Sequence, residues 1–211
     1  THIMGQAAET AAECNIEIIG GHTEITKAVN RPVIVSTAVG RGFKGQSASA
    51  SEIKPGDAIL MTKTAGIEGT GIIACDYEEE LREVLSGEEL EHAKSLLSKV
   101  SVVKDGIIAG RIGTHGMHDV TEGGILGAVW EMCSIAGTGA RLDAEAIPAD
   151  DVTRRICEHY DINMLRLISS GSMLIMTEED KKEEIIRELA AQGIPAAQIG
   201  KIVPKEEGLS I

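Results

Sequence analysis

Apolar positions along this chain gather into short β-branched runs separated by amphipathic, charged stretches. Two runs come early, Ile16 to Ile19 and "RPVIVSTAVG", and both predict strands. Ahead of them lies an Ala/Glu-rich, helix-like stretch with no initiator methionine and nothing before it to pack on, so the chain reads as a fragment of a longer protein. "GRGFKGQSASASEIKPGD", rich in Gly, Ser and Lys with a Pro-Gly turn, predicts a linker, and a boundary falls near residue 50. Beyond it the pattern alternates. "DAILMTKTAG" predicts a strand, "GIEGTGIIACDY" a glycine-opened helix, and residues 77 to 99 two acidic helices. A helix around "KDGIIAGRIG" leads to a short strand, a loop and a helix reaching about Ala136, all within and just after "MHDVTEGGILGAVWEM". "GARLDA", "GSMLIMT" and a final "AAQIGKIV" read as strands, with "DDVTRRICEHY" and "EEDKKEEIIRELAAQ" as helices between them. Interleaving of this kind predicts an α/β or α+β domain.

Composition narrows the partners. With 211 residues and 43% apolar content the chain can bury one substantial domain, roughly 70% of its unfolded surface. Aromatics are scarce, one Trp, two Tyr and one Phe, so the core is built from Ile, Leu, Val, Ala and Met, and stacking platforms for bases are not expected. The net charge of -13 repels phosphate backbones and anionic membranes, which excludes nucleic acid and membrane as partners. Cys14, Cys75, Cys133 and Cys157 are widely spaced, with no CxxC pair, signal peptide or long apolar run, which points to the cytoplasm. His115 and His118 have no second ligand pair at zinc-like spacing.

The densest chemistry lies in Met117 to Met132. Asp119 or Thr121 can act as N-cap, while Gly123 and Gly124 let the backbone approach a ligand and leave first-turn N–H groups pointing outward, a general anion site. The plainer alternative is a capped core helix burying Leu126, Val129, Cys133 and Ala136. Asp119 and Glu122 beside bound phosphate call for Mg²⁺, which bridges carboxylate and phosphate oxygens; without it the acids oppose the anion.

Three further constellations are weaker. In "IEIIGGHTEIT", Gly20, Gly21, His22 and Thr23 either border a ligand or form a tight turn with a surface histidine. "TKTAGIEGTGIIA" has phosphate-loop composition but lacks the Gly-Lys-Ser/Thr ending, leaving Lys63 or Glu68 at a cleft, or a close-packed strand-to-helix turn. "LISSGSMLI", with Ser169, Ser170 and Ser172, is no nucleophile elbow and reads as the start of a strand. The cysteines read as small buried apolar residues.

"GGHTEIT", "PVIVSTAVG", "KPGDAILMTKTAGIEGTGIIA", "MHDVTEGGILGAVWEM" and "LISSGSMLI" follow in an order that resembles the aminoimidazole ribonucleotide (AIR) synthetase superfamily, the PurM-like proteins. Its members include the HypE-type hydrogenase maturation proteins, thiamine monophosphate kinase, selenophosphate synthetase and the glycinamidine-forming purine enzyme, and "MHDVTEGGI" is most similar to the HypE-type branch. The resemblance implies a two-domain, homodimeric protein. Residues 1–50 would be the tail of an N-terminal ATP-binding domain plus linker, and residues 51–211 an AIR synthase-related C-terminal domain, a PurM C-terminal-domain-like sheet covered by helices.

It also implies ATP and Mg²⁺ bound by the intact two-domain protein, with a phosphoryl group passed to a small molecule or a carbamoyl-like group. Gly20, Gly21, His22, Thr23, Thr121, Gly123 and Gly124 would contact nucleotide or phosphate. His118, Asp119 and Glu122 would be catalytic, with Asp119 also a Mg²⁺ ligand. The chain ends "PKEEGLSI", without the C-terminal cysteine of the HypE-type branch, so no nucleophile is carried over; separated from an N-terminal half, the chain alone is expected to be inactive. The alternative is a non-catalytic interaction module docking a partner in a hydrogenase or metalloenzyme maturation complex.

Overall fold

A computed structural model describes residues 2–41 and 49–211. The chain divides into two units, Thr1–Gly42 and Phe43–Ile211. In the first, helix α1 (His2–Glu13) forms from the Ala/Glu-rich stretch, with Ala11 its one buried residue. The strands predicted at Ile16 to Ile19 and over 31–40 do not form: after α1 the described residues of this unit hold no helix or strand. A strand needs a neighbour for its N–H and C=O groups, and these runs pair with none among the described residues. Their side chains are correspondingly exposed, Ile19 at 90% and Val35 at 88%. Part of the predicted linker, residues 42–48, lies outside the described residues; its Pro-Gly turn is present, with Gly56 at φ +100°.

The second unit is a mixed six-stranded sheet with helices packed on it, as the alternating pattern predicts. The strands are β1 (Ala58–Thr62), β2 (Gly116–Asp119), β3 (Gly139–Leu142), β4 (Met173–Thr177), β5 (Ala196–Val203) and β6 (Leu209–Ser210), in the order β2-β4-β1-β5-β3-β6. Neighbours run antiparallel except β3 and β6. The two-residue β6 follows the strand predicted to be last; it is too short to carry a periodic signal. β1 "AILMT" and β4 "MLIMT" are buried at every position, which explains their unbroken apolar runs: both faces of the sheet are covered.

On one face, Ile59, Met61, Leu174 and Met176 pack with α6 (Gly124–Ala136) through Ile125, Val129 and Met132. On the other, Leu60 and Ile175 meet α5 (Val103–Ile112) through Ala109 and α8 (Lys182–Ala191) through Ile185 and Leu189. A third cluster joins α2 (Ile67–Asp76), α3 (Glu78–Leu81), α4 (Gly87–Ser95) and α7 (Asp151–His159) around Ile67, Leu81, Leu90 and Ile156. The acidic helices form as predicted, and α4 opens on a reciprocal cap between Ser86 and Glu89.

Candidate functional site

Register places the site. β2 pairs with β4 so that Asp119 stands opposite Met173, and the chain leaving β2 crosses the start of β4. The Val120 amide donates to Ser172 O at 2.9 Å and the Ser169 amide to Val120 O at 3.0 Å. Thr121 and Glu122 then turn into α6 through two left-handed residues, Gly123 at φ +78° and Gly124 at φ +61°.

These glycines are required by geometry. A Cβ on Gly124 would stand 2.6 Å from Leu165 O and 2.8 Å from Leu167 O, so α6 begins in direct contact with the main chain of the segment before β4. The N-cap of α6 is Gly123, with no side-chain cap. Neither Asp119 nor Thr121 caps it, a correction to the sequence reading: the double left-handed turn puts a glycine at the cap position. Instead the Gly124 amide donates to Thr121 O at 3.0 Å. The buried face of α6 is Ile125, Ala128, Val129, Met132 and Cys133, leaving Leu126 and Ala136 half-buried.

Asp119 is half-buried at the end of β2, and its Oδ1 accepts from the Gly171 amide at 3.2 Å. Burial pushes its carboxyl above the usual carboxylate range; the Gly171 N–H and the nearby His118 and Lys63 pull down against that, while Glu68 pushes it up further. His118 is tied at both nitrogens, Nδ1 2.5 Å from Asp119 O and Nε2 2.9 Å from Glu131 Oε2 on α6. Glu122 is exposed and Thr121 half-buried. Glu68, in the first turn of α2, has a buried Oε2 with no hydrogen-bond partner among the described residues. Thus His118, Asp119, Thr121, Glu122, Gly123 and Gly124 form one local cluster. Gly20, Gly21, His22 and Thr23 are exposed in the first unit, in irregular chain.

Two features escape sequence reasoning. Ser169 and Ser172 are fully buried: the Ser172 hydroxyl donates to Thr64 O at 2.6 Å and accepts from the Ser169 hydroxyl at 2.8 Å, which locks the start of β4 to the end of β1. Beside α6, a cavity of about 500 Å³ is lined by Gly123, Leu126, Trp130 and Leu209, with Arg166 as its one charged side chain. The scattered positions of these residues, drawn from three elements, give no local signal.

Residues 54–210 match the AIR synthase related protein, C-terminal domain. The chain belongs to this family. Among similar AIR synthase-related proteins is a carbamoyl dehydratase HypE of Rhizobium leguminosarum, 26% identical over 209 residues, an alignment covering 95% of this chain and 55% of the relative. The chain therefore spans little more than half the length of that curated relative. The crystal structure of E. coli HypE, a hydrogenase maturation protein, superposes with a TM-score of 0.62 at 26% identity, covering 74% of this chain and 46% of that one. A structure of hydrogenase maturation protein HypE in complex with ATP shares the fold at 21% identity and a TM-score of 0.55, covering 76% and 47% of the two chains. No helix among the described residues is long and apolar enough to cross a membrane.

Proposed function

We propose that this AIR synthase-related domain is one wall of an ATP- and Mg²⁺-dependent site, which transfers a phosphoryl group to, or otherwise activates, a small molecule or carbamoyl-like group in the cytoplasm. The observation that carries the reading is the Asp119-to-Gly124 loop. Paired left-handed glycines bring the start of α6 out of the sheet beside a half-buried carboxylate, where the Ile125 and Leu126 amides have no acceptor among the described residues and are available to phosphate oxygens. The ATP complex of a HypE relative and the carbamoyl dehydratase name of another support it.

On this reading Thr121, Gly123 and Gly124 face the phosphates, and Gly20, Gly21, His22 and Thr23 are assigned to the nucleotide by the same resemblance. Asp119 and Glu122 supply carboxylate oxygens, and His118 flanks them. The donor chemistry fits Mg²⁺, which takes oxygen ligands and keeps several waters: Asp119 offers its second oxygen, and Glu68 has a buried oxygen without a partner. Among the described residues no three His, Cys, Asp or Glu side chains converge, so phosphate and water would complete the ligand set. Bound there, the ion supplies charge neutralisation at the phosphoryl oxygens. The protein's own residues orient the phosphates and hold the carboxylates in place. The apolar cavity beside Gly123, with Arg166 at its wall, suits the organic body of a small substrate carrying a negative charge.

Residues 1–50 then belong to an N-terminal ATP-binding domain and linker, residues 51–211 to the C-terminal domain, and the longer protein is a homodimer. The test is calorimetric titration of Mg-ATP into this chain and into a form extended at its N-terminus to the length of its relatives. Binding by the extended form that is lost in Asp119→Ala supports the proposal; no binding by either form overturns it. The second reading, a docking module for a maturation partner, is favoured by the net charge of -13 and would be supported by capture of a basic maturation protein that Asp119→Ala leaves intact.

A further inference from the structure

Asp119 is held from outside its own strand. The amide it accepts from belongs to Gly171, whose φ of +104° is a conformation L side chains rarely adopt. A Cβ there would stand 2.5 Å from Lys99 O, so this residue is wedged against the segment that follows α4. Its carbonyl is held as well, accepting from the Lys63 ammonium. Lys63 follows directly on β1 at φ +54°, and its Nζ also donates to Asp105 Oδ1 at 2.8 Å and to Ser101 O at 3.1 Å. An ammonium has three protons, and all three acceptors come from the protein. The side chain of Asp105 is 2% exposed and that of Lys63 15%. Lys63 is therefore saturated and largely buried, with no donor left for a ligand.

We propose that Lys63 is a positioning residue for Asp119. Anchored on Asp105 in α5, it fixes Gly171 through its carbonyl, and the N–H of the same residue fixes the carboxylate at the end of β2. The chain of contacts Asp105, Lys63, Gly171, Asp119 ties α5, the end of β1 and the start of β4 to the ligand loop. The inference rests on the reading of Asp119 as a site residue.

Lys63→Met alone leaves Asp105 buried and unpaired, which is strongly destabilising. The test therefore uses the pair Lys63→Met with Asp105→Asn, which removes both charges together. Amide hydrogen exchange on the ligand-free chain is expected to be about tenfold faster at Gly171 in the paired variant, with the Leu174 and Ile175 amides of β4 unchanged. Asp119→Ala should accelerate Gly171 similarly, and adding it to the paired variant should give no further change. In the extended protein, the paired variant should weaken Mg-ATP about tenfold, a smaller loss than that of Asp119→Ala. A folded paired variant with wild-type protection at Gly171 overturns the role of Lys63. Because exchange is read without ligand, failure of Mg-ATP to bind overturns the nucleotide reading instead, and the two failures are distinguishable.

Discussion

Glu131, midway along α6, places its Oε2 2.9 Å from Nε2 of His118 on the edge strand β2. The other ring nitrogen lies against the carbonyl of Asp119, which can only accept, so Nδ1 carries a proton and donates it there. Both nitrogens are thus engaged within the protein. Loss of a group that moves protons in the transition state lowers rates by about 10²–10⁴-fold. For His118→Asn in the extended protein, a fall of only about tenfold in ATP-dependent turnover is expected, well short of that range. Steady-state kinetics beside Asp119→Ala would decide it, since equal losses in the two variants would give His118 a direct part in the chemistry.

Asp119 has a pH signature. Burial raises its folded carboxyl above the unfolded value, so the fold prefers the protonated form. Its stabilising contribution is fully present below the unfolded value and is lost as pH rises through the raised one. Asp119→Asn should therefore be more stable than the parent chain at pH 7, by less than about 1 kcal/mol because partial exposure screens the charge. Below the carboxylate range the advantage should vanish. Urea melts at neutral and acid pH test this, and an advantage of the same size at both would contradict it.

The two loop glycines differ in consequence. At Gly124 a Cβ meets three main-chain atoms within 2.6–2.8 Å, while at Gly123 the nearest is Gly127 Cα at 3.3 Å. Left-handed backbone alone costs about 1–2 kcal/mol for an L residue. Gly123→Ala is expected to lose about that much, and Gly124→Ala more than about 3 kcal/mol, because main chain must also shift. Chemical denaturation of both variants measures the difference.

Thiol labelling should separate the cysteines. Cys75 is exposed, whereas burial pushes the Cys133 and Cys157 thiols up. The thiolate is the reactive form. At pH 8 Cys75 should label rapidly, and Cys133 and Cys157 only after denaturant is added. Rapid labelling of Cys157 in the native chain would show that α7 opens readily.

From residue 58 to residue 203 the periodicity of the sequence anticipates nearly every element, because each apolar run there finds a packing partner. The same β-branched pattern at Ile16 to Ile19 and in "RPVIVSTAVG" yields no strand among the described residues, since periodicity says which face a segment would bury and nothing about whether a neighbour is present. The loop is visible in composition, through its paired glycines next to acids. Its cap is not, because backbone conformation decided it. The contacts that hold Asp119 are invisible for a different reason: Gly171 lies 52 residues from Asp119 and 108 from Lys63, so no local window contains any two of them.

The strand order also constrains how the chain assembles. β1, near the start of the second unit, is flanked by β4 and β5, both close to the C-terminus, so that Ala58 finds its partners at Thr177 and Lys201. Pairings this distant in sequence slow folding, because the loop must close before the contacts reward it. During synthesis Ile59, Leu60 and Met61 emerge long before the strands that pair with them. Until β4 is made, β1 is an unpaired apolar strand, the kind of segment through which incompletely folded chains associate.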